Sequence, residues 1–360
     1  MKLAIFGLSI SSSWGNGHAT LWRGMCRALA ARGHEVHFFE KDVPYYAEHR
    51  DLISIAKAHL HLYPSWDEIR PLAESHLRDA DIGMVTSYCP DALAATDLVL
   101  SSPKLSCFYD LDTPVTLSKL RAGEPVEYLS KRGLRDYDLV LSYTGGPALL
   151  ELRSRLGAQR TVPLYGSVDP EQHYPAPPRE HFLADVCYLG TYAEERQQAL
   201  EALFIEPARR IPESKFMVGG ALYPETFPWT KNIFFVRHVP PAEHPAFFCS
   251  SKLTLNVTRA PMAQMGYCPS GRLFEAAACG VPILSDYWEG LEEFFEPRSE
   301  ILVARSTDDT IEAMRLPEQE RQQIAQRARE RALDCHTSGR RAIQLEEILG
   351  ASKSSMQAGV

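Results

Sequence analysis

The chain has 360 residues, 45% of them apolar and 23% charged, with a formal net charge of -8 and a pI near 5.9. That length exceeds one ordinary domain and fits two, and the composition is that of a soluble globular protein. The acidic balance argues against nucleic acid or an anionic membrane as partner, and no apolar run approaches the roughly 18 residues of a membrane-spanning helix. Eight cysteines lie scattered, without a C-x-x-C pair. They read as reduced thiols, and the expected localisation is cytoplasmic.

In chain order, residues 3–8 form a short continuous apolar run. It reads as a strand buried on both faces rather than as a signal sequence. Leu21, Met25, Ala28 and Leu29 then recur at helical spacing, with Gly33 as the stop. "HEVHFFE" reads as the second strand of a βαβ unit. Strand-like runs follow at 82–87, 98–102, 105–110 and 139–143. Residues 165–180 are proline-rich and aperiodic, as in a linker. A second series has strand-like runs at 185–190, 215–220, 232–236, 252–257, 281–285 and 300–304. Between them lie helix-like pieces at 193–204, 241–249 and 270–280, and 317–349 is helical in character. Two such series predict an α/β protein of two Rossmann-like, doubly wound domains.

The loop "SSSWGNGHAT" (11–20) joins the first strand to the first helix. Gly15, Asn16, Gly17, His18, Ala19 and Thr20 nearly repeat G-x-G-x-x-G/A, and Glu40 ends the next strand where a ribose-binding acid sits in dinucleotide folds. However, Ser9 to Trp14 separate the first glycine from the strand, and Thr20 replaces the third small residue. The loop instead offers backbone N–H groups, a helix N-terminus and one imidazole to a polar ligand. The simpler alternative is a turn in which Asn16 or His18 caps the helix.

Residues 255–295 carry the densest signal. Arg259 lies in an expected polar loop after a strand, and Ser270-Gly271 opens an apolar helix whose only acid is Glu275. A carboxylate there needs donors; two ribose hydroxyls would serve, or an internal ion pair with Arg272 or Arg259. The helix N-terminus with Arg259 suits a diphosphate. Trp288 and Glu289 follow a strand's carboxyl end, where open α/β sheets bind ligands.

"SGRLFEAAACGVPILSDYWEGLEEFFEPRSEILVA" resembles the C-terminal signature of group 1 glycosyltransferases, nearest the CgeB-like (spore-maturation-protein-like) branch. The likeness extends to "SWGNGHATLWRGMCRALAARGHEVHFFEKDVPYY", "YDLDTPVTL", "YLGTYAEER", "VPLYGSVDPEQHYP" and "HTSGRRA". It implies a GT-B fold, two Rossmann-like domains facing a central cleft. An acceptor-side domain would span 1–168, a linker 169–181 and a nucleotide-sugar domain 182–335. A helix at 336–350 would cross back to the first domain, and 351–360 would be a disordered tail. The implied reaction is metal-independent, retaining transfer from a nucleotide-sugar co-substrate, most simply a UDP-sugar, with no cofactor. The acceptor is a glycan, small molecule or protein.

On that resemblance Glu275 binds the nucleotide ribose. The second Glu common eight positions earlier is here Tyr267, which leaves the donor sugar open. Ser270, Gly271, Gly190, Thr191, Arg196, His238 and Arg259 fall on the nucleotide and phosphate side. Gly15, Asn16, Gly17, Trp14, Asp110, Trp288 and Glu289 fall on the sugar or acceptor side. Breaking the anomeric bond without a metal requires cations at the departing diphosphate, a role for Arg259. His18 and Asp112 are the candidates for proton transfer. Asp110-Leu111-Asp112 imitates a metal-binding D-x-D, but no further ligand cluster accompanies it; either aspartate also suits a turn or cap. A non-hydrolysing sugar-nucleotide epimerase, a dehydrogenase and a catalytically silent sugar-nucleotide-binding relative are the competing readings.

Overall fold

The computed structural model describes residues 1–55, 58–102 and 104–358, with side chains through residue 352. The chain folds into two units, Met1–Tyr165 with Ser338–Val360, and Gly166–Thr337.

The first unit runs β1 (Lys2–Gly7), α1 (Gly17–Ala31), β2 (Glu35–Lys41), α2 (Pro44–Ala47), β3 (Ala58–Tyr63), α3 (Trp66–Asp79), β4 (Ile82–Thr86), α4 (Ala92–Ser101), β5 (Leu105–Asp110), α5 (Thr113–Arg121), β6 (Leu139–Ser142), α6 (Pro147–Leu156) and β7 (Thr161–Pro163). Its sheet is parallel, in the order β3-β2-β1-β4-β5-β6-β7. The chain winds outward from β1 to β3, then crosses back to β4. The loops after β1 and β4 therefore part at the topological switch point, where open α/β sheets leave room for a ligand.

The second unit repeats the plan with β8 (Ala184–Leu189), a helix broken by one π turn into α7 (Gln197–Leu200) and α8 (Glu206–Arg210), β9 (Phe216–Gly219), β10 (Ile233–Val236), α9 (His244–Cys249), β11 (Ser251–Asn256), α10 (Ala260–Met265), α11 (Gly271–Ala278), β12 (Ile283–Asp286), β13 (Leu302–Ala304), α12 (Thr307–Arg315) and α13 (Glu318–Cys335). The strand order is β10-β9-β8-β11-β12-β13. Here the switch point lies between β8 and β11, and the loops beyond them carry Arg196 and Arg259.

The last helix, α14 (Ser338–Ala358), belongs to the first unit. Its Ala342, Leu345 and Leu349 are buried with Leu21, Met25 and Leu29 of α1. Each such leucine contributes about 1.5–3 kcal/mol. Glu346 accepts two bonds from Arg32, both at 2.6 Å, and pairs with His34. Helix replaces the expected disordered tail up to Ala358; residues 359–360 lie outside the described residues.

Two local expectations fail, and one strand goes unanticipated. The run at 98–102 is the end of α4, because short Leu/Val runs suit helix and strand alike and the alanines before it favour helix. The loop holding Arg259 contains α10. Strand β3, "AHLHLY", is too polar for a buried-strand pattern because it is the sheet edge. No described helix is long and apolar enough to cross a membrane.

Candidate functional site

In the first unit the loop after β1 is fastened by its own neighbours. Glu40 accepts Ser9 Oγ at 2.8 Å, Ser11 Oγ at 2.5 Å, Ile10 N at 2.7 Å and Ser11 N at 3.0 Å. Both carboxylate oxygens are thereby occupied, so Glu40 holds the loop and is not available to a ribose. Asn16 accepts His18 N at 3.1 Å as the cap of α1, and its amide donates to Ser9 O and Ser12 O. Gly15 takes φ +60°, which a glycine adopts without strain. The capping alternative thus holds for Asn16, and the cap sets His18 in the first turn of α1. Trp14 stacks on His49 at 4.3 Å.

His18 Nε2 lies 3.3 Å from Asp112 Oδ2, with both side chains 16% exposed. The two residues singled out for proton transfer therefore meet, although 94 positions separate them. A carboxylate only accepts, so Nε2 is the donor in this pair. Nδ1 has no partner among the described residues. Asp112 N in turn donates to Asp110 Oδ1 at 3.2 Å.

Asp110 is fully buried, with Oδ2 unpartnered among the described residues. It supports Asp112 from below and does not face a sugar or acceptor as expected. Burial pushes its carboxyl up from 3.8 to about 6. A raised native value means that the contribution to stability is full below 3.8 and lost as pH rises through about 6. Asp110→Asn is therefore expected to stabilise the fold, with a gain over wild type that grows from about pH 4 to 6.5 and levels off above. Denaturant midpoints across that range measure it; a gain independent of pH would mean that Asp110 ionises normally.

In the second unit three arginines gather, and Glu195 pairs with one of them. Arg196 donates from Nη1 to Thr191 O at 3.1 Å, while its buried Nε has no partner among the described residues. Burial, then the positive charges of Arg272 and Arg259, lower its pKa despite the opposing effect of Tyr188. Arg272 also has a buried Nε with no partner among the described residues. It stands in the first turn of α11, where Ser270 Oγ caps its backbone N at 3.4 Å. Arg259 donates from Nε to Glu195 Oε1 at 2.8 Å. Thr258, just before it, is pinned by Asp286 through N (3.0 and 3.1 Å) and Oγ1 (2.9 Å). Burial pushes Asp286 up to about 6. Arg196 in the field of Arg259 and Arg272, with Arg272 at the N-terminus of α11, is an arrangement suited to an anion.

Glu275, one turn further along α11, makes no ion pair or side-chain hydrogen bond among the described residues. The alternative of an internal salt bridge with Arg272 or Arg259 does not hold. Its neighbours are His173 and His244, one ring nitrogen of each lying within 4.8 Å of the carboxylate. Burial holds both imidazoles down at about 4, so they are neutral near pH 7 and leave Glu275 without a counter-charge.

Tyr267 N donates to Glu289 O at 2.6 Å, and the Tyr267 hydroxyl lies 3.3 Å from Glu289 Oε1. Gly266, at φ +72°, permits this close approach: a Cβ there would stand 2.7 Å from Glu289 O. The two candidate residues therefore form one clip. Trp288, expected on the sugar side, is 2% exposed and packs on Phe294 in the core instead. Gly190 N bonds Gly219 O and its carbonyl accepts the Tyr223 hydroxyl, which sets Thr191 to hold Arg196. His238 follows β10, one of the edge strands of that sheet.

Sequence reasoning missed Arg272, Asp286, His173 and His244 as parts of the site. Arg272 lies two residues after the Ser270 cap, and Asp286 closes a strand at its carboxyl end; both were legible signals. The histidines come from the linker and α9, and no spacing joins them.

Residues 196–347 match the family model described as "Glycosyl transferase-like". No curated protein matches the chain. Among solved structures it is similar to sucrose-phosphate synthase of Thermosynechococcus elongatus, at 13% identity over 98% of this chain and 99% of that one, with TM-score 0.72. Anabaena HepE in complex with UDP-glucose is similar at 13% identity over 98% and 100%, TM-score 0.67. An alpha-glucosyltransferase in complex with UDP is similar at 11% identity over 97% and 100%, TM-score 0.70. The α/β fold of the chain is GT-B, as in these structures. The matched stretch contains Arg196, Arg259, Arg272 and Glu275, so the family match and the cationic cluster coincide.

Proposed function

We infer that the protein is a glycosyltransferase of the group 1 type, which takes its sugar from a UDP-sugar and passes it to a hydroxyl of a glycan, small molecule or protein. The reading includes a retaining, metal-independent route, placement in the CgeB-like branch and action in the cytoplasm. The observation that carries it is the cluster of Arg196, Arg259 and Arg272 beside an unpaired Glu275, with the buried Nε atoms of Arg196 and Arg272 lacking a partner among the described residues. The arginines and the α11 N-terminus meet the diphosphate, whose negative charge grows as the anomeric C–O bond breaks. Glu275 accepts from the ribose hydroxyls. The choice of UDP is supported by the UDP-glucose bound to HepE and the UDP bound to the alpha-glucosyltransferase. With three cations present, the protein itself supplies the charge that a metal provides in other transferases. In a retaining route the departing phosphate accepts the acceptor's proton, and His18, oriented by Asp112, hydrogen-bonds the sugar. The eight free cysteines support a reducing compartment.

A thermal-shift series with UDP-, GDP-, ADP- and dTDP-sugars tests the donor. UDP-sugars are expected to raise the midpoint most. Glu275→Ala is expected to fold normally and to weaken nucleotide binding by about 1.5–3 kcal/mol, or tenfold to a hundredfold, in calorimetry. Unchanged affinity removes the ribose assignment. Conversion of the donor into an epimeric nucleotide-sugar, without an acceptor, would make the protein an epimerase instead.

A further inference from the structure

The first unit gathers four histidines away from these loops. β2 and β3 pair in register, His37 opposite His59 and Phe39 opposite His61. Alternation puts all four side chains on one face of the sheet. His76, in the last turn of α3, reaches the same place: its ring centroid lies 3.9 Å from that of His37 and 5.0 Å from that of His61. His37 is buried at 4% exposure, and His61 and His76 are half-buried. His37 Nδ1 is 2.9 Å from His61 Nε2, and His37 Nε2 is 2.6 Å from Glu35 Oε1.

Apolar rings would fill this position at less cost than imidazoles, which must find partners when buried. Glu35 can only accept, so His37 Nε2 carries the proton and Nδ1 presents its lone pair to the cluster. One donor nitrogen from each of His37, His61 and His76 lies within 4.8 Å of the others. Around a tetrahedral ion at about 2.0–2.1 Å, ligand nitrogens stand about 3.3 Å apart. The half-buried rings of His61 and His76 can close that difference by side-chain rotation, while His37 stays fixed by Glu35.

We propose that His37, His61 and His76 bind one divalent transition-metal ion through three imidazole nitrogens, with Glu35 as the carboxylate that orients His37. Three neutral nitrogens suit Zn²⁺, Ni²⁺ or Cu²⁺ and not Ca²⁺ or Mg²⁺, which require oxygen. A carboxylate behind a ligating histidine is the arrangement that fixes its tautomer and strengthens it as a ligand. The fourth position is left to water. His61 Nε2 now donates to the lone pair of His37 Nδ1; when the ion enters, His61 takes the other tautomer, with its proton on Nδ1 and Nε2 free to ligate. His37 is the third residue of β2, and His76 lies in the last turn of α3. The site therefore lies toward the amino ends of the strands, whereas His18 and Asp112 stand at the carboxyl ends. The ion would join the edge strand β3 and helix α3 to β2 and take no part in sugar transfer.

The test uses untagged, chelator-stripped full-length protein and Zn²⁺ titrated against a chromophoric competitor. One equivalent is expected at micromolar Kd or tighter, and Co²⁺ is expected to give the visible absorption of a low-coordinate site. His61→Gln and His76→Gln should each weaken Zn²⁺ binding at least about tenfold, and Glu35→Gln about tenfold. His59→Ala should stay within about threefold. Zn²⁺ should raise the melting midpoint of wild type but not of His61→Gln, with circular dichroism confirming that each variant is folded. A wild type that binds no Zn²⁺ tighter than about 100 μM, or wild-type affinity retained in His61→Gln and His76→Gln, overturns the site.

Discussion

His18→Ala is expected to lower kcat by about 10²-fold, the lower edge of the range for a positioned proton-handling group, with little change in donor affinity. The imidazole is held by two independent devices. The Asn16 cap fixes its backbone at the start of α1, and Asp112 holds Nε2 at 3.3 Å. Removing the ring leaves both supports in place, so the loss reports chemistry and not folding. Asp112→Asn keeps the shape but frees the tautomer, and should cost less than the loss of the ring. Product stereochemistry by NMR belongs in the same experiment. Retention with a loss near about 10² keeps His18 as a group that positions the sugar. Inversion with a loss near about 10⁴ would make it the base. An unchanged kcat would return the loop to the role of a turn and helix cap.

Arg196→Met is expected to lower kcat/KM by roughly 10²–10³-fold, with kcat carrying most of the loss. Its Nε is buried without a partner among the described residues, and its positive neighbours disfavour it as long as no anion is present. Diphosphate relieves that cost, and the relief grows as charge moves onto the leaving oxygen. Methionine keeps most of the stem volume and removes an uncompensated buried charge, so the denaturant midpoint of the ligand-free protein should stay level or rise. A lower midpoint with unchanged kcat/KM would make Arg196 a structural residue that merely braces Thr191.

The strands and the helices that follow them were legible because parallel strands buried on both faces write themselves as short apolar runs. Leu3 to Gly7, Leu105 to Tyr109 and Leu253 to Leu255 are of this kind. The Ser270 cap and the lone acid Glu275 were legible for the same local reason: a helix start and a charge inside an apolar face each depend on neighbours in sequence. Strand β3 escaped because its polarity reflects the edge position, and 98–102 misled because a short apolar run does not choose between two periods. What only the tertiary structure decided is pairing. Glu40 could have met a ribose, yet its oxygens are filled by Ser9, Ile10 and Ser11. Trp288 could have faced a sugar, yet it lies against Phe294. His18 and Asp112 become one pair because β1 and β5 flank β4 in a single parallel sheet, and the histidines of β2, β3 and α3 meet because register places them on one face. The sequence by itself determined the α/β class, which rests on local periodicity, and the resemblance carried by 270–295 implied the GT-B architecture. Which polar groups face one another, and which remain unpaired, was decided by strand order and register, because a hydrogen bond or a charge acts over a few ångströms regardless of how many residues lie between.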